Sequence, residues 1–223
     1  CKHDYLFDYE KQDGYFPFKS ENAQGYKAKD LKEFFHIYRW GRYPKEISDT
    51  TKVMHRELLS LGGQLLDYLD EYAPLSIRKN FSMKLSEMIN DSGQNLLRVI
   101  HYPALQSKDT VDGSIRAAAH TDINLITLLI SEPGLQVLNQ EGDWVDVKLV
   151  DNSIVINIGD MLQECSNGFY KSTVHRVINP DSMNNKSRYS MPLFIHPRDD
   201  VKLSKKLTAG EYLNKRLKEI GLR

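Results

Sequence analysis

Apolar positions change their spacing near residue 95, and the change divides the chain. Over 46–72, Val53, Leu58, Leu61, Leu65, Leu69 and Tyr72 recur mostly at steps of three and four, which predicts a helix with one apolar stripe. Gly62-Gly63 weakens its middle and Pro74 ends it. A second helix is predicted over 76–90, with Ile77, Phe81, Met83, Leu85 and Met88 on or near its buried side and Asp91-Ser92-Gly93 as its stop. Ahead of both, residues 1–45 mix aromatic rings with Gly and charge at no regular period. Loops, short strands and a helical turn over 29–35 are expected there. Such rings can line a substrate mouth, but pinning loops onto a core is the plainer expectation.

From 96 to about 196 the period shortens to that of strands. Residues 96–102 run up to Pro103, 114–119 lead into His120, and 123–130 are nearly continuously apolar. Turns at Glu132-Pro133-Gly134, Glu141-Gly142-Asp143 and Asp151-Asn152 separate further strands over 135–138, 144–149 and 153–158. Residues 168–177 read as another strand, and 208–220 as a closing helix. Many short strands at regular spacing predict a mainly β fold, a sandwich or barrel with flanking helices.

Length and charge narrow the possibilities. A chain of 223 residues is expected to form one domain, with loops and helices over 1–94, a β core over 95–198 and a C-terminal helix within 199–223. Thirty basic residues balance thirty acidic ones, so no global field draws the chain to nucleic acid or to an anionic membrane. No apolar run approaches the roughly 18 residues of a membrane span, and no signal peptide is visible. Cys1 and Cys165 are the only cysteines, which excludes a disulfide framework and predicts a reducing, cytoplasmic setting. Cys165 is expected to be a structural thiol in a strand-like run. Because the chain opens at Cys1, a segment is expected to have been cut from its start.

The candidate chemistry lies within 116–190. Alternate side chains of a strand share a face, so His120 and Asp122 are expected to enter one cavity. His175 brings a second imidazole from another strand. Two His and one carboxylate that leave metal positions open are the ligand set of non-haem Fe(II) oxygenases, although zinc accepts the same ligands. Arg188 and Ser190 again share a strand face and offer a fork and a hydroxyl to an anion, which points to a dicarboxylate co-substrate. The other triplet of this kind, His55-Arg56-Glu57, lies in a helical stretch where residues two apart do not face each other. His3, His36, His101 and His196 are expected to be structural or surface groups.

These residues carry a resemblance. Over 96–197 the chain resembles the isopenicillin-N-synthase-like branch of the Fe(II)/2-oxoglutarate-dependent oxygenases, in 98–103 (RVIHYP), 120–122 (HTD), 125–129 (LITLL), 133–136 (PGLQ), 157–160 (NIGD), 166–168 (SNG), 175–177 (HRV) and 188–190 (RYS), and the end of the chain, 210–213 (GEYL), also fits. The resemblance implies a double-stranded β-helix (jelly-roll) core. It implies that His120, Asp122 and His175 hold Fe(2+), and that Arg188 and Ser190, with Tyr102, hold the distal carboxylate of 2-oxoglutarate. The implied activity uses O2 to oxidise a small-molecule substrate, most often by hydroxylation, releasing succinate and CO2. An oxidase of the same branch that does not consume 2-oxoglutarate is the alternative, and a non-catalytic jelly-roll binding module is the alternative of another class. Ile100 stands where plant members often have Asn, so the co-substrate pocket is not wholly of the plant kind.

Overall fold

The computed structural model describes residues 2–22, 25–110, 113–181, 183 and 185–219; Cys1 and Ile220 lie outside them. Its strands are β1 (Gly14–Phe16), β2 (Glu33–Tyr38), β3 (Leu96–Tyr102), β4 (Ala117–His120), β5 (Ile126–Ser131), β6 (Leu135–Leu138), β7 (Trp144–Asp146), β8 (Val155–Ile158), β9 (His175–Val177), β10 (Arg188–Ile195), β11 (Lys202–Ser204) and β12 (Leu207–Thr208). The helices are α1 (Thr50–Glu71), α2 (Leu75–Arg78), α3 (Asp160–Cys165) and α4 (Ala209–Glu219). One sheet has the order β1-β2-β3-β10-β5-β8 and a second has β4-β9-β6-β7, while β11 and β12 form a separate hairpin. Through the core the chain crosses repeatedly between the two antiparallel sheets, as in a jelly roll.

The apolar run through β5 is continuous because both its faces are covered. Ile126 and Leu128 join the cluster that includes Leu58 and Leu66 of α1 and Leu193 and Ile195 of β10. Leu129 points the other way, into a second cluster with Phe16, Phe34, Tyr102, Leu135 and Val177 between the sheets. Thr127 shares that inward face by the alternation of a strand, and it matters below.

Helix α1 forms as expected, and Leu58, Leu65 and Leu69 of its predicted stripe pack on the core, but the buried face is shifted from the rest. His55, Leu58, Gly62, Leu66 and Asp70 face the core, whereas Val53, Leu61 and Tyr72 are exposed. Gly62 marks the contact point: a Cβ there would stand 2.1 Å from Ile195 Cδ1, so its smallness sets how closely α1 lies on β10. The predicted second helix is broken into α2 and a 3-10 turn over Leu85–Ile89. The Asp70 carboxylate of α1 tethers both pieces, accepting from Arg78 Nε at 3.1 Å and from the Leu85 backbone N–H at 3.0 Å.

Three local expectations are corrected. The stretch 29–35 is not helical but runs into β2, where aromatic residues pair with β3 from Glu33↔His101 to Tyr38↔Leu96. Of 168–177 only His175–Val177 is a strand. Cys165 ends a helix instead of lying in a strand; it is buried, and burial pushes its thiol up to about 12, consistent with an inert core group. Among the described residues no helix is long and apolar enough to cross a membrane.

Candidate metal and co-substrate site

Strand β4 ends at His120, so Asp122 sits in the turn that follows and not on the strand itself. What fixes the turn is the start of α3. The backbone N–H groups of Gly159, Asp160 and Met161 donate to the carbonyls of Leu125, Asp122 and Ile123 at 2.9, 2.8 and 3.2 Å. Donors that a helix start leaves unpaired are thus spent on the turn that carries the carboxylate. The approach demands glycine at 159, because a Cβ there would lie 2.0 Å from the Asn124 carbonyl oxygen. Gly159→Ala should therefore destabilise the fold by about 3 kcal/mol, measured by chemical denaturation.

His175 opens β9, which pairs with β4 so that His120 and His175 are partners in register. The donor atoms of His120, Asp122 and His175 lie within 4.8 Å of one another. The imidazole centroids are 4.4 Å apart, and His175 Nε2 is 3.7 Å from Asp122 Oδ1. Nδ1–H of His120 donates to the Ala118 carbonyl at 2.7 Å, and Nδ1–H of His175 to that of Thr173 at 3.1 Å. That leaves each Nε2 with its lone pair toward the shared space. Burial, with the neighbouring His175, pushes His120 down to about 4, so its imidazole is neutral near pH 7. Asp122 spends Oδ2 on the Thr127 hydroxyl at 2.7 Å and keeps Oδ1 toward the imidazoles. Two imidazoles with Nε2 turned inward and one oriented carboxylate oxygen suit a divalent transition metal with open positions. Thr127→Val removes the donor that orients Asp122, and divalent-metal affinity should fall about 10–100-fold on direct titration.

Arg188 and Ser190 lie on β10 of the larger sheet, and Tyr102 is the register partner of Arg188 on β3. All three are buried. Arg188 Nη2 donates to the Ser131 hydroxyl and to the Glu132 carbonyl at 2.6 Å, and Ser190 donates to Ser131 Oγ at 3.2 Å. Among the described residues Nε and Nη1 of Arg188 are buried without a partner, and the guanidinium carbon is 4.9 Å from the Tyr102 ring centroid. Burial depresses the Arg188 pKa. A buried fork with unsatisfied donors is costly unless an anion completes it, and a carboxylate is the matching shape.

A cavity of about 170 Å³ adjoins His120, Thr121 and Asp122, and its walls include Gln12, Glu21, Lys32, His36, Arg98 and Phe194. Arg98 lies 4.3 and 5.3 Å from the ring centroids of Phe34 and Phe194. Its Nε donates to His36 Nε2 at 2.9 Å and its Nη1 to Glu21 at 3.3 Å. Lys32 pairs with Glu21 at 2.9 Å and Asp30 at 2.8 Å. Burial alone would raise Glu21, but Arg98 and Lys32 outweigh it and hold the carboxyl well below its usual range. Burial, reinforced by Arg98, pushes His36 down to about 3, which leaves it neutral. Leu213, Arg216 and Leu217 of α4 close the rim, where Asp160 Oδ2 lies 3.5 Å from Arg216 and accepts from Thr121 at 3.1 Å. A more open groove of about 700 Å³ near the end of α1, lined by Asp70, Arg78 and Lys84, is far from this chemistry.

Of the histidines expected to be structural or surface groups, His36 and His196 are buried in the cavity wall. Arg98 was a motif residue without a role. Its strand parity with Tyr102 was the available signal, since 98, 100 and 102 share one face of β3. His55, set aside on helical geometry, is buried in α1 with Nε2 3.3 Å from the Asn95 carbonyl.

Comparison with known proteins agrees with this geometry. The model of the 2OG-Fe(II) oxygenase superfamily matches residues 93–197. A solved structure of a provisionally assigned oxygenase from Shewanella oneidensis is 45% identical, with a TM-score of 0.85, covering 100% of this chain and 80% of that one. A provisionally assigned 2OG-Fe(II) oxygenase family protein from Caulobacter crescentus is 33% identical, with a TM-score of 0.79 and coverage of 98% and 80%. A Neurospora crassa protein solved at full length in complex with alpha-KG and thymine is 26% identical with a TM-score of 0.77, covering 97% and 77%. Among curated relatives, 1-aminocyclopropane-1-carboxylate oxidase 5 of Arabidopsis thaliana is 34% identical over 167 residues, 71% of this chain and 52% of that protein. Flavonol synthase 1 of Crocosmia x crocosmiiflora is 30% identical over 204 residues, 86% and 58% respectively. The chain spans little more than half the length of these two curated relatives. It belongs to the 2OG-Fe(II) oxygenase superfamily.

Proposed function

We propose that this chain is a non-haem Fe(II)- and 2-oxoglutarate-dependent dioxygenase that hydroxylates a compact, polar small molecule and releases succinate and CO2. The convergence of His120, Asp122 and His175 within 4.8 Å carries the reading. These three would hold the iron, which supplies the redox chemistry with dioxygen that side chains lack. Arg188 and Ser190, beside Tyr102, would take the distal carboxylate of 2-oxoglutarate, for which the unpartnered Nε and Nη1 of Arg188 are suited. Asp160 ties the turn between the ligands to α4 at the rim of the cavity.

The cavity supports the substrate class. Its volume of about 170 Å³ is well below the roughly 300–1,000 Å³ of sites for drug-sized ligands. Its walls combine paired charges with apolar groups. Arg98, with two of its guanidinium N–H groups committed to His36 and Glu21, keeps others for a substrate oxygen. The thymine of the Neurospora relative is a molecule of this size and polarity.

A second reading follows from the resemblance to 1-aminocyclopropane-1-carboxylate oxidases: an oxidase that draws electrons from its substrate and consumes no 2-oxoglutarate. The test supplies Fe(II), 2-oxoglutarate, O2 and ascorbate, which gives the two electrons that a two-electron substrate oxidation leaves wanting, then adds thymine or 1-aminocyclopropane-1-carboxylate, and measures succinate beside oxygen uptake above an enzyme-free control. Succinate formed with bound iron, and stimulated by a polar single-ring compound, is the expected outcome. Arg98→Leu should lower the stimulated kcat/KM about 10–100-fold while substrate-free succinate formation persists. Oxygen uptake without succinate would select the oxidase, and neither signal with iron bound would leave only a binding module.

A further inference from the structure

Two buried guanidiniums flank Tyr102, and only one belongs to the Arg-x-Ser pair. The second is Arg116, directly ahead of β4 and four residues before His120. It is 4% exposed, and its guanidinium carbon is 6.0 Å from the Tyr102 ring centroid. Nη2 donates to the carbonyl of Lys186, two residues before Arg188, at 2.5 Å. Arg116 thus bridges the strand that carries a metal-ligand candidate and the strand that carries the anion-binding fork. Among the described residues its Nε is buried with no partner, as are Nε and Nη1 of Arg188. Among the described residues neither guanidinium forms an ion pair with a carboxylate; both feel the Glu132 carboxylate only at a distance. The contrast with the neighbouring cations is sharp, because Lys32 and Arg98 are both tied to Glu21.

We propose that Arg116 is a second guanidinium of the distal-carboxylate site, so that the co-substrate's far end meets two unpaired forks around Tyr102 and not one. The proposal rests on the co-substrate reading above. A strut between the two sheets would need only the bond to Lys186. Placing a second cation beside Arg188 with its Nε unsatisfied, where a neutral side chain would serve, is costly without an anion between them. An arginine also retains its charge under such burial, which a lysine does less firmly.

The test compares two acids of equal chain length, 2-oxoglutarate and 2-oxopentanoate, the second lacking the distal carboxylate. Calorimetry under nitrogen on the Mn(II)-loaded protein gives the Kd of each, and their ratio reports the distal site alone. The wild type should prefer 2-oxoglutarate. Arg116→Gln should reduce that preference about ten-fold, as expected for charge-assisted hydrogen bonds, with little change for 2-oxopentanoate. A preference unchanged in Arg116→Gln, or equal losses for both acids, would overturn the proposal. Should Arg116→Gln melt too low to measure, Arg116→Lys decides. One ammonium cannot serve both Lys186 and the ligand as the fork does, so about three-fold of the preference should go; full retention overturns the proposal. A wild type without preference, unaffected by Arg188→Gln, would bring down the co-substrate reading itself. A preference that Arg188→Gln removes and Arg116→Gln spares brings down the role of Arg116 alone.

Discussion

His175→Ala is expected to abolish iron-dependent turnover and to weaken Fe(II) binding by more than the roughly 10–100-fold that follows loss of an outer hydrogen-bond partner. Asp122 and His120 would remain, but two ligands do not define a closed face for a metal that the third completes. The fold should survive. His175 is the first residue of a three-residue strand, and the register of β9 against β6 and β4 rests on backbone bonds. Metal analysis after gel filtration, alongside circular dichroism, separates loss of the site from loss of structure. A folded His175→Ala protein with normal iron content would sink the ligand assignment.

Arg188→Ala should act differently, raising the 2-oxoglutarate requirement about 100-fold while turnover at saturation falls far less. The estimate follows from removing a buried cation that makes charge-assisted bonds, each worth about 1.5–3 kcal/mol. Ser131 and Glu132 lose a donor as well, so a modest drop in melting temperature is expected beside the kinetic effect. Initial rates against 2-oxoglutarate concentration provide the check. A lowered kcat at unchanged KM would place Arg188 outside the co-substrate site.

Much of the β core was legible because its period is local. The apolar run over 123–130 became β5, and the turns at 132–134, 141–143 and 151–152 fell between strands. His120, Asp122 and His175 were singled out by residue type and spacing and do converge in the fold, although the geometric reason differs. Asp122 reaches the site from a turn stitched to α3, a contact that no strand pattern encodes. The stripe of α1 was half legible: Leu58, Leu65 and Leu69 pack on the core, whereas Gly62 offers no hydropathy signal, yet its missing side chain lets Ile195 approach. The cavity wall was the least legible part. Glu21, the β2 stretch with Lys32 and His36, and Arg98 are three separate segments that meet only after β2 pairs with β3. Charged residues so dispersed read as surface until the fold buries them together.

Above all, His120, Asp122 and His175 are assigned to hold Fe(II) beside a site for 2-oxoglutarate. Anaerobic titration of the metal-free protein, first with Fe(II) and then with 2-oxoglutarate, tests this most directly through the weak visible charge-transfer band of a 2-oxo acid chelated to ferrous iron. The band is expected in the wild type, is expected to be lost in His175→Ala, and should appear in Arg188→Ala only at much higher 2-oxoglutarate. Iron bound without any band in the wild type, or an undiminished band in His175→Ala, would contradict the assignment.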